Sequence, residues 1–302
     1  MTAHTPRWVL IQRNPNSGSG QNRQKLLDLI AGLRRNGFLP RMFRNRNRLK
    51  QWLDDEERRA GVVCLVAAGG DGTVSDVINR YPGLPIAILP MGTENLLARY
   101  LDLPQTGEGL AGLIASGSRR KLDLGWLGDR RFALMVSVGI DAEIVKRVHA
   151  ARRGNISHST YIQPILESFR TYDYPELRVT VDDEPVSRSA RLVEVVNLPA
   201  YALGLPIAAG ARGDDGKLDL RLFERGEAFQ MVRYLCNVAL GTHEQLPDVV
   251  SRLAKRVRID ADRPVPVQAD GDPAGFTPVE IRLEPGALEV FAPSPDGRLL
   301  PS

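Results

Sequence analysis

The sequence of 302 residues is poor in long hydrophobic runs, cysteine and histidine. No stretch of about 18 uninterrupted apolar residues occurs, so we expect no helix that spans a bilayer. The N-terminus lacks the apolar segment of a secretory signal peptide, which favours a cytoplasmic protein. The two cysteines, Cys64 and Cys236, lie in apolar patterns and are predicted to be buried free thiols. The four histidines are scattered without metal-ligand spacing.

The chain carries a small excess of positive charge. The formal net charge of +4 and the isoelectric point near 9.2 favour approach to an anionic surface, without choosing among phospholipid, nucleotide and nucleic acid. No nucleic-acid recognition motif or strongly basic stripe is present, so we expect no nucleic-acid partner. Two basic clusters suggest peripheral contact with the inner membrane face, although solvated helix faces explain such clusters more often. The clusters are Lys146, Arg147, Arg152 and Arg153, and Arg41, Arg44, Arg46, Arg48 and Lys50.

The first third of the chain alternates strand-like and helix-like segments. Residues 26–33 carry leucine and isoleucine at helical spacing, and residues 62–67 form a continuous apolar run. Such a run is typical of a strand buried on both faces of a parallel sheet. The pattern predicts a doubly wound α/β domain over residues 1–122, with residues 286–302 as a candidate to complete it.

The pattern changes near Lys121. Short, often alternating segments are separated by turn clusters, which predicts an antiparallel, β-sandwich-like domain over residues 123–285. No linker marks the boundary, so we expect a cleft between two coupled domains. The predicted strands are 131–138, 177–181, 191–196, 218–223, 257–260 and 279–283, and the predicted helices lie near 141–150, 160–169 and 227–240.

Three small, polar loops follow predicted strands of the first domain: residues 14–20, 69–73 and 91–95. Glycines let backbone N–H groups approach a polyphosphate, and a following helix N-terminus favours an anion. Loops at the carboxyl ends of parallel strands face one crevice, so these loops predict a nucleotide-sized pocket. The alternative is that each loop is an ordinary turn. The candidate hydroxyl and amide donors are Ser17, Thr73, Thr93 and Asn95.

Asp71, inside the second loop, has the wrong charge to attract phosphate directly. We expect it to organise a magnesium ion or to hold the loop through hydrogen bonds. The alternative is that Asp71 only caps the helix that follows.

The ordered set of motifs resembles the diacylglycerol kinase catalytic-domain family, lipid kinases that also include sphingosine and ceramide kinases. Each motif is weak alone, and the ordered set runs over nearly the whole chain. The matching segments are Asn14 to Gly18, Gly69 to Thr73 with Asp76 and Asn79, Pro90 to Arg99, Leu122 to Gly125, Ser137 to Ala142, Asp214 to Asp219, and Asp270 to Asp272.

The resemblance implies a kinase that uses ATP and Mg²⁺ and acts on a lipid with a free hydroxyl, and it makes a homodimer plausible. Asp272 would be the general base on the lipid hydroxyl, and a catalytic magnesium would lie near Asp71. A structural magnesium would be bound by Asp214, Asp219 and the carbonyl of Lys217. The candidate nucleotide-binding residues are Asn14, Pro15, Asn16, Ser17, Gly18, Arg44, Gly69, Gly70, Asp71, Gly72, Thr73, Thr93 and Asn95.

The sequence departs from the family pattern at two positions. Glu94 places a carboxylate beside a phosphate loop, and Asp272 stands where the family usually has the longer Glu. Asp270 is therefore a second candidate for the catalytic carboxylate, unless the turn is a plain hairpin. Two other functions stay open: an NAD kinase-like enzyme, which shares the loop containing Asp71, and a nucleotide- or lipid-binding protein with impaired catalysis.

Overall fold

The computed structural model describes residues 6–13, 21–151, 167–199 and 205–294. The chain divides into two compact units, one formed by Met1–Leu122 with Gly286–Ser302 and the other by Asp123–Pro285. Within the described ranges, no helix is long and apolar enough to cross a membrane.

The first unit is built on a parallel sheet. Its strands are β1 (Trp8–Arg13), β2 (Leu39–Phe43), β3 (Val62–Gly69) and β4 (Ile86–Pro90), in the order β2-β1-β3-β4, and the end of the last strand of the chain pairs with β4. Residues 64–68 of β3 are fully buried. This burial on both faces explains why the strand is a continuous apolar run.

Six helices accompany this sheet among the described residues: α1 (Gln21–Arg35), α2 (Arg46–Leu53), α3 (Glu56–Ala60), α4 (Asp71–Arg80), α5 (Leu96–Tyr100) and α6 (Gly107–Ser116). The side chains of Asn45, Asp55 and Thr106 accept backbone N–H groups at the starts of α2, α3 and α6. Helix α6 packs closely on α1, because a Cβ atom at Gly107 would lie 1.9 Å from the carbonyl oxygen of Lys25.

The second unit contains two sheets. The strands that follow β4 are β5 (Arg119–Leu127), β6 (Arg130–Phe132), β7 (Met135–Gly139), β8 (Leu177–Val181), β9 (Glu184–Pro185), β10 (Leu192–Val196), β11 (Leu218–Phe223), β12 (Val249–Ala254), β13 (Arg256–Ala261), β14 (Pro266–Ala269), β15 (Asp272–Phe276) and β16 (Val279–Phe291). One sheet is antiparallel in the order β12-β11-β10-β7-β14-β15. The other contains β16-β13-β8-β9, with β5 paired to β16 and β6 paired to β5.

The core of the second unit lies between these sheets. Alternate residues of β7 and β10, such as Val136, Val138 and Val193, are buried in one cluster with Val179 and Ile259 of the other sheet. The unit also contains helices α7 (Ile140–Ala151) and α8 (Ala228–Ala239) and a 3₁₀ helix at His243–Gln245. An α/β domain followed by an antiparallel β-sandwich-like domain is the fold class that the sequence predicts, and it is confirmed.

Two sequence predictions need correction. The predicted strand 131–138 is broken between β6 and β7, because the backbone N–H groups of Ala133 and Leu134 donate to the carboxylate of Asp270. Both cysteines are free, but only Cys64 is buried, and Cys236 is exposed on the face of α8 opposite its buried residues. Of the predicted helix 160–169, residues 167–169 are described and are helical.

Candidate active site

The predicted nucleotide loops follow the carboxyl ends of neighbouring parallel strands in the first unit. Arg44 follows β2 and is exposed, Gly70 and Asp71 follow β3, and residues 91–95 follow β4. The edge of the sheet where these strands end is where open α/β sheets bind ligands. The loop after β1 lies outside the described residues, together with its candidates Asn14, Pro15, Asn16, Ser17 and Gly18.

The loops after β3 and β4 pack backbone against backbone. The N–H group of Met91 donates to the carbonyl oxygen of Gly69 at 3.0 Å. A Cβ atom at Gly92 would lie 2.5 Å from the Cα of Gly70 and 2.9 Å from Oδ1 of Asn95. Real Cβ atoms do not approach other atoms this closely, so the two loops can meet only through glycine.

Asp71, which follows β3, holds the loop after β4. The backbone N–H groups of Leu96, Leu97 and Asn95 donate hydrogen bonds to its carboxyl group. Burial raises the pKa of Asp71, and these hydrogen bonds act in the opposite direction. These hydrogen bonds are consistent with the loop-holding role that the sequence predicts for Asp71; both that role and magnesium binding stay predictions.

Asn95 fixes the shape of the loop after β4. Its backbone is left-handed, with φ of +49°, a conformation that asparagine tolerates better than most residues. Its side chain accepts the N–H group of Gly92 at 2.9 Å and donates to the carbonyl oxygen of Gly92 at 2.8 Å. Asn95 is therefore a residue that shapes the loop, and direct contact with a nucleotide stays a prediction.

The remaining loop candidates differ in accessibility. Thr73 is buried, and its Oγ1 would lie 2.1 Å from a Cβ atom at Gly69, so its side chain packs onto that glycine. Gly72 and Thr93 are exposed, and a Cβ atom at Gly72 would meet nothing within 4 Å. Glu94 is half-buried, with its carboxylate 3.9 Å from Arg99. Gly72 and Thr93 are therefore the described loop residues most open to a phosphate group.

Helix α1 contributes two residues that the sequence analysis missed. The Nζ atom of Lys25 donates to the carbonyl oxygen of Pro90 at 3.2 Å, and Nδ2 of Asn22 donates to the carbonyl oxygen of Met91 at 3.2 Å. These contacts bring a positive charge to the loop after β4. The available signal was position, since both residues lie in the first turns of the helix that follows the loop 14–20.

Asp76 is the centre of a second cluster on the same unit. Its Oδ2 accepts from Nε2 of Gln12 at 2.8 Å and lies 2.9 Å from Nε of Arg46, while its Oδ1 accepts from Nε of Arg80 at 2.6 Å. This carboxylate therefore ties α4 to the end of β1 and the start of α2. The sequence indicated Asp76 only through its family motif.

In the second unit, Asp270 and Gly271 form the two-residue turn between β14 and β15, with φ of +51° and +80°. Both angles are left-handed, as a tight hairpin turn requires. The Asp270 carboxylate accepts the N–H groups of Ala133 at 2.9 Å, Leu134 at 2.8 Å and Met135 at 3.2 Å. Burial raises the pKa of Asp270, and these three N–H groups lower it. The contacts favour a structural role for Asp270 over the catalytic role considered from the sequence.

Asp272, the first residue of β15, has a more open environment than Asp270. Its side chain is 40% exposed, and its Oδ2 lies 3.2 Å from Nη2 of Arg130. Arg130 also donates to the carbonyl oxygen of Ala269 at 3.3 Å, so this guanidinium group braces the hairpin. Asp272 is thus the carboxylate of the motif that a substrate could reach, and its role as base stays a prediction.

The turn containing Asp214 is shaped by backbone hydrogen bonds. The N–H group of Gly216, where φ is +73°, donates to Oδ2 of Asp123 at 2.7 Å, and the N–H group of Lys217 donates to Oδ1 of Asp215 at 3.0 Å. The contact with Gly216 brings the carboxylate of Asp123 to the predicted magnesium turn, which also contains Asp215; the sequence analysis selected neither residue as a ligand.

The predicted magnesium ligands fit an ion only in part. Carboxylate and carbonyl oxygens are donors that Mg²⁺ prefers. However, Asp214 meets Nε of Arg212 at 3.3 Å, and Asp219 meets Nη2 of Arg221 at 3.2 Å, so an ion would share these oxygens with arginine. Burial is the main cause that raises the pKa of Asp219. Among the described residues, no group of three His, Cys, Asp or Glu side chains suited to a metal is found.

A buried polar row crosses the antiparallel sheet. Ser137 of β7 is the register partner of Glu194 on β10 and of Gln268 on β14, and Glu194 is the partner of Arg221 on β11. All four are buried, on the face opposite the apolar core, and burial raises the pKa of Glu194 well above its ordinary value. The signal in the sequence was a polar residue between core residues on four separate strands.

Two known families match different parts of the chain. Residues 7–127 match the family described as the diacylglycerol kinase catalytic domain. Residues 134–292 match the family described as the YegS C-terminal NAD kinase beta sandwich-like domain. The chain therefore belongs to the diacylglycerol kinase family, a class of lipid kinases that phosphorylate an alcohol acceptor.

Individual relatives are distant. A Mycobacterium tuberculosis diacylglycerol kinase is 29% identical over 241 residues, which are 77% of this chain and 78% of that protein. A Staphylococcus aureus diacylglycerol kinase is 24% identical over 286 residues, 93% of this chain and 91% of that protein. An uncharacterised Synechocystis protein is 26% identical over 253 residues, and this 82% of the chain matches only 58% of that protein's length.

Solved structures share the fold at low sequence identity. A diacylglycerol kinase from Bacillus anthracis superposes with a TM-score of 0.71 and 19% identity, covering 99% of this chain and 100% of that one. Yeast NADH kinase superposes with a TM-score of 0.52 and 14% identity, covering 98% and 86%. The fold is therefore common to kinases of different acceptors, and the acceptor must be argued from other evidence.

Proposed function

We propose that the protein transfers the γ-phosphate of ATP, with magnesium, to the hydroxyl of a lipid such as a diacylglycerol or a sphingoid base. The observation that carries this proposal is the packing of Gly70 against Gly92 at the carboxyl edge of a parallel sheet, where Asp71 bonds to the loop after β4. In this proposal the first unit binds ATP and the second binds the lipid. Because the acceptor partitions into membranes, peripheral membrane contact is part of the proposal.

The nucleotide would lie against the open side of the two loops. Exposed Gly72 and Thr93 offer a surface without bulky side chains, and exposed Arg44 offers a positive charge from the neighbouring strand. Lys25, held at the carbonyl oxygen of Pro90, adds a second positive charge. Phosphoryl transfer depends chiefly on positioning and on neutralising the phosphate oxygens, and these groups supply both.

Asp272 is our proposed general base. A positioned carboxylate that accepts the hydroxyl proton contributes about 10²–10⁴-fold to the rate. The partial exposure of its side chain allows contact with a lipid hydroxyl, whereas the oxygens of Asp270 are occupied by three backbone N–H groups. Arg130 positions the carboxylate from one side.

Magnesium would supply charge neutralisation on the ATP phosphates. We propose that Asp71 organises that ion chiefly by holding the loops around it, because backbone N–H groups already bond to its carboxyl group. A structural ion would be held by Asp214, Asp219 and the carbonyl oxygen of Lys217. The test for the structural ion is Asp214→Ala, which is expected to lower activity and to raise the magnesium concentration needed for half-maximal rate. An unchanged magnesium dependence would remove this site from the proposal.

The acceptor is tested by offering terminally labelled ATP and magnesium together with diacylglycerol, a sphingoid base and NAD. The expected result is label in a lipid, with no label on the dinucleotide. Asp71→Asn is the matched control, because it keeps the size of the side chain and removes its charge, and it is expected to abolish labelling. Label found on NAD alone would contradict the proposal.

An NAD kinase-like activity is the second candidate. It is favoured by the family description of residues 134–292 and by the fold shared with yeast NADH kinase. The match of residues 7–127 to the diacylglycerol kinase catalytic domain argues for the lipid acceptor instead. The same labelling experiment separates the two activities, because their products differ in solubility.

A further inference from the structure

The second unit contains a cavity of about 310 Å³. Its walls are α7, residues 171–175, the connection between β13 and β14, and the ring of Phe276 at the end of β15. A volume near 300 Å³ is at the lower end of the range for small-ligand pockets. Neither Asp272 nor the predicted magnesium ligands are among the described lining residues, so the proposed transfer chemistry does not account for this cavity.

The lining carries more positive than negative charge. Lys146, Arg147 and Arg263 face it together with the carboxylates of Glu143 and Asp173. Each carboxylate is already paired: Glu143 with Lys146 and Arg147, and Asp173 with Arg263. One cation is therefore in excess, and the three basic side chains are still 30–51% exposed. They can turn toward an anionic ligand without leaving either carboxylate far from a cation.

Tyr172, one of the residues that line the cavity, carries a buried hydroxyl group. The Tyr172 hydroxyl oxygen is buried and has no hydrogen-bond partner, while the neighbouring Tyr174 hydroxyl donates to the carbonyl oxygen of Phe169 at 3.2 Å. Burial raises the pKa of Tyr172, and Asp173 and Glu143 raise it further, so the group stays a neutral donor. A buried polar atom without a partner is unfavourable, and a ligand oxygen that the hydroxyl group could reach by a small rotation of the Tyr172 side chain would remove that cost.

We propose that this cavity binds a phosphate group through the Tyr172 hydroxyl and the cations Lys146 and Arg263. Several donors in one lining suit a phosphate, which presents several acceptor oxygens, and the guanidinium group matches its geometry. The Phe276 ring, whose centroid lies 5.8 Å from Nζ of Lys146, offers an apolar wall to the remainder of the molecule that carries the phosphate. The phosphate group belongs either to the headgroup of an anionic lipid or to a phosphate compound in solution.

The decisive variant is Tyr172→Phe, because it removes only the unpartnered oxygen. Without ligand we expect its melting temperature to equal or exceed that of the wild type. Binding of inorganic phosphate, measured by calorimetric titration, is expected to weaken about fivefold, the ordinary effect of one neutral hydrogen bond. Arg263→Gln removes a charged donor and is expected to weaken phosphate binding about tenfold or more.

Tyr174→Phe is the matched control. It removes a hydroxyl that has a partner, so it is expected to lower the melting temperature and to leave phosphate binding unchanged. Phosphate bound at the nucleotide loops would be unaffected by all three substitutions, so only the part of the binding that Tyr172→Phe weakens reports on the cavity. Equal phosphate affinity in wild type, Tyr172→Phe and Arg263→Gln would overturn the proposal.

Vesicles of phosphatidylcholine, with and without phosphatidic acid, identify the source of the phosphate. If the cavity takes a lipid headgroup, phosphatidic acid increases wild-type binding to vesicles more than that of Tyr172→Phe. If the cavity takes a soluble compound, wild type and Tyr172→Phe differ in their affinity for inorganic phosphate but not in their binding to vesicles. Transfer of phosphate from ATP is measured separately and is expected to persist in Tyr172→Phe, so failure of this inference and failure of the proposed function give different results.

Discussion

Gly72→Ala should separate the stability of the nucleotide loops from their binding function. Gly72 is the second residue of α4, is exposed, and has open space where a Cβ atom would be placed. Its φ is not in the left-handed region, so alanine can adopt the same backbone conformation. The free protein should therefore tolerate the change, whereas a phosphate lying against this backbone should not.

The two effects have opposite signs. Alanine is favoured over glycine in a helix interior by up to about 1 kcal/mol, so the melting temperature should stay constant or rise by ~2–4 °C. The added methyl group would keep a phosphate oxygen from close contact with the loop. Loss of one hydrogen bond to a charged group, about 1.5–3 kcal/mol, corresponds to roughly 10- to 100-fold weaker ATP binding.

The assay is thermal unfolding in parallel with ATP titration of the same preparations. Gly92→Ala is the comparison variant, because its Cβ atom would lie 2.5 Å from the Cα of Gly70 in the free protein. It should lose about 1–3 kcal/mol of stability together with ATP binding. If Gly72→Ala binds ATP as tightly as the wild type, the phosphate does not lie against this loop.

Three further predictions concern charged groups of the second unit. Hydrogen bonds from Arg233 and Tyr234 hold the pKa of buried Asp248 at about 2, so the stability that they contribute is present above pH ~4 and is lost as pH falls toward 2. Asp248→Asn should therefore lower the free energy of unfolding by roughly 2 kcal/mol at pH 7. If urea titrations gave the same difference between the two proteins at pH 3, this prediction would be contradicted. Burial raises the pKa of Glu194, so the wild type should lose stability as pH rises above the ordinary range of a carboxyl group, by at most about 1.4 kcal/mol per pH unit. The stability of Glu194→Gln relative to the wild type should therefore increase as pH rises above that range, and a difference that does not change with pH would exclude a neutral Glu194. Asp272→Glu restores the longer side chain of the family pattern and should retain or increase the turnover number; wild-type protein that binds ATP without transfer, with activity only in the Glu variant, would instead indicate impaired catalysis.

The alternation of strands and helices, and the change near residue 121, were sufficient to predict the fold class. Runs such as residues 62–67 are apolar because the strand is buried on both faces, so composition alone shows the environment. The broken strand at residues 131–138 could not be predicted in this way. Its break depends on Asp270, which is more than a hundred residues away in sequence.

The candidate site could be predicted at the level of loops and only partly at the level of atoms. The motifs indicated Gly70 and Gly92 without showing that the two glycines pack on each other. They also selected Asp270 as a carboxylate, but its role depends on which N–H groups it meets. Lys25 belongs to no motif, and its Nζ atom donates to the carbonyl oxygen of Pro90, which is distant in sequence. Such contacts between distant segments follow from packing, which a residue pattern does not specify.

A single-turnover experiment tests most directly whether the protein moves phosphate from ATP to a lipid hydroxyl. Enzyme in excess over terminally labelled ATP is mixed with magnesium and vesicles containing diacylglycerol, and the label is followed in lipid, water and nucleotide fractions. We expect the label lost from ATP to be recovered in the lipid fraction, and we expect Asp71→Asn to prevent this transfer. Recovery of the label as free phosphate or on a dinucleotide, with none in lipid, would contradict it.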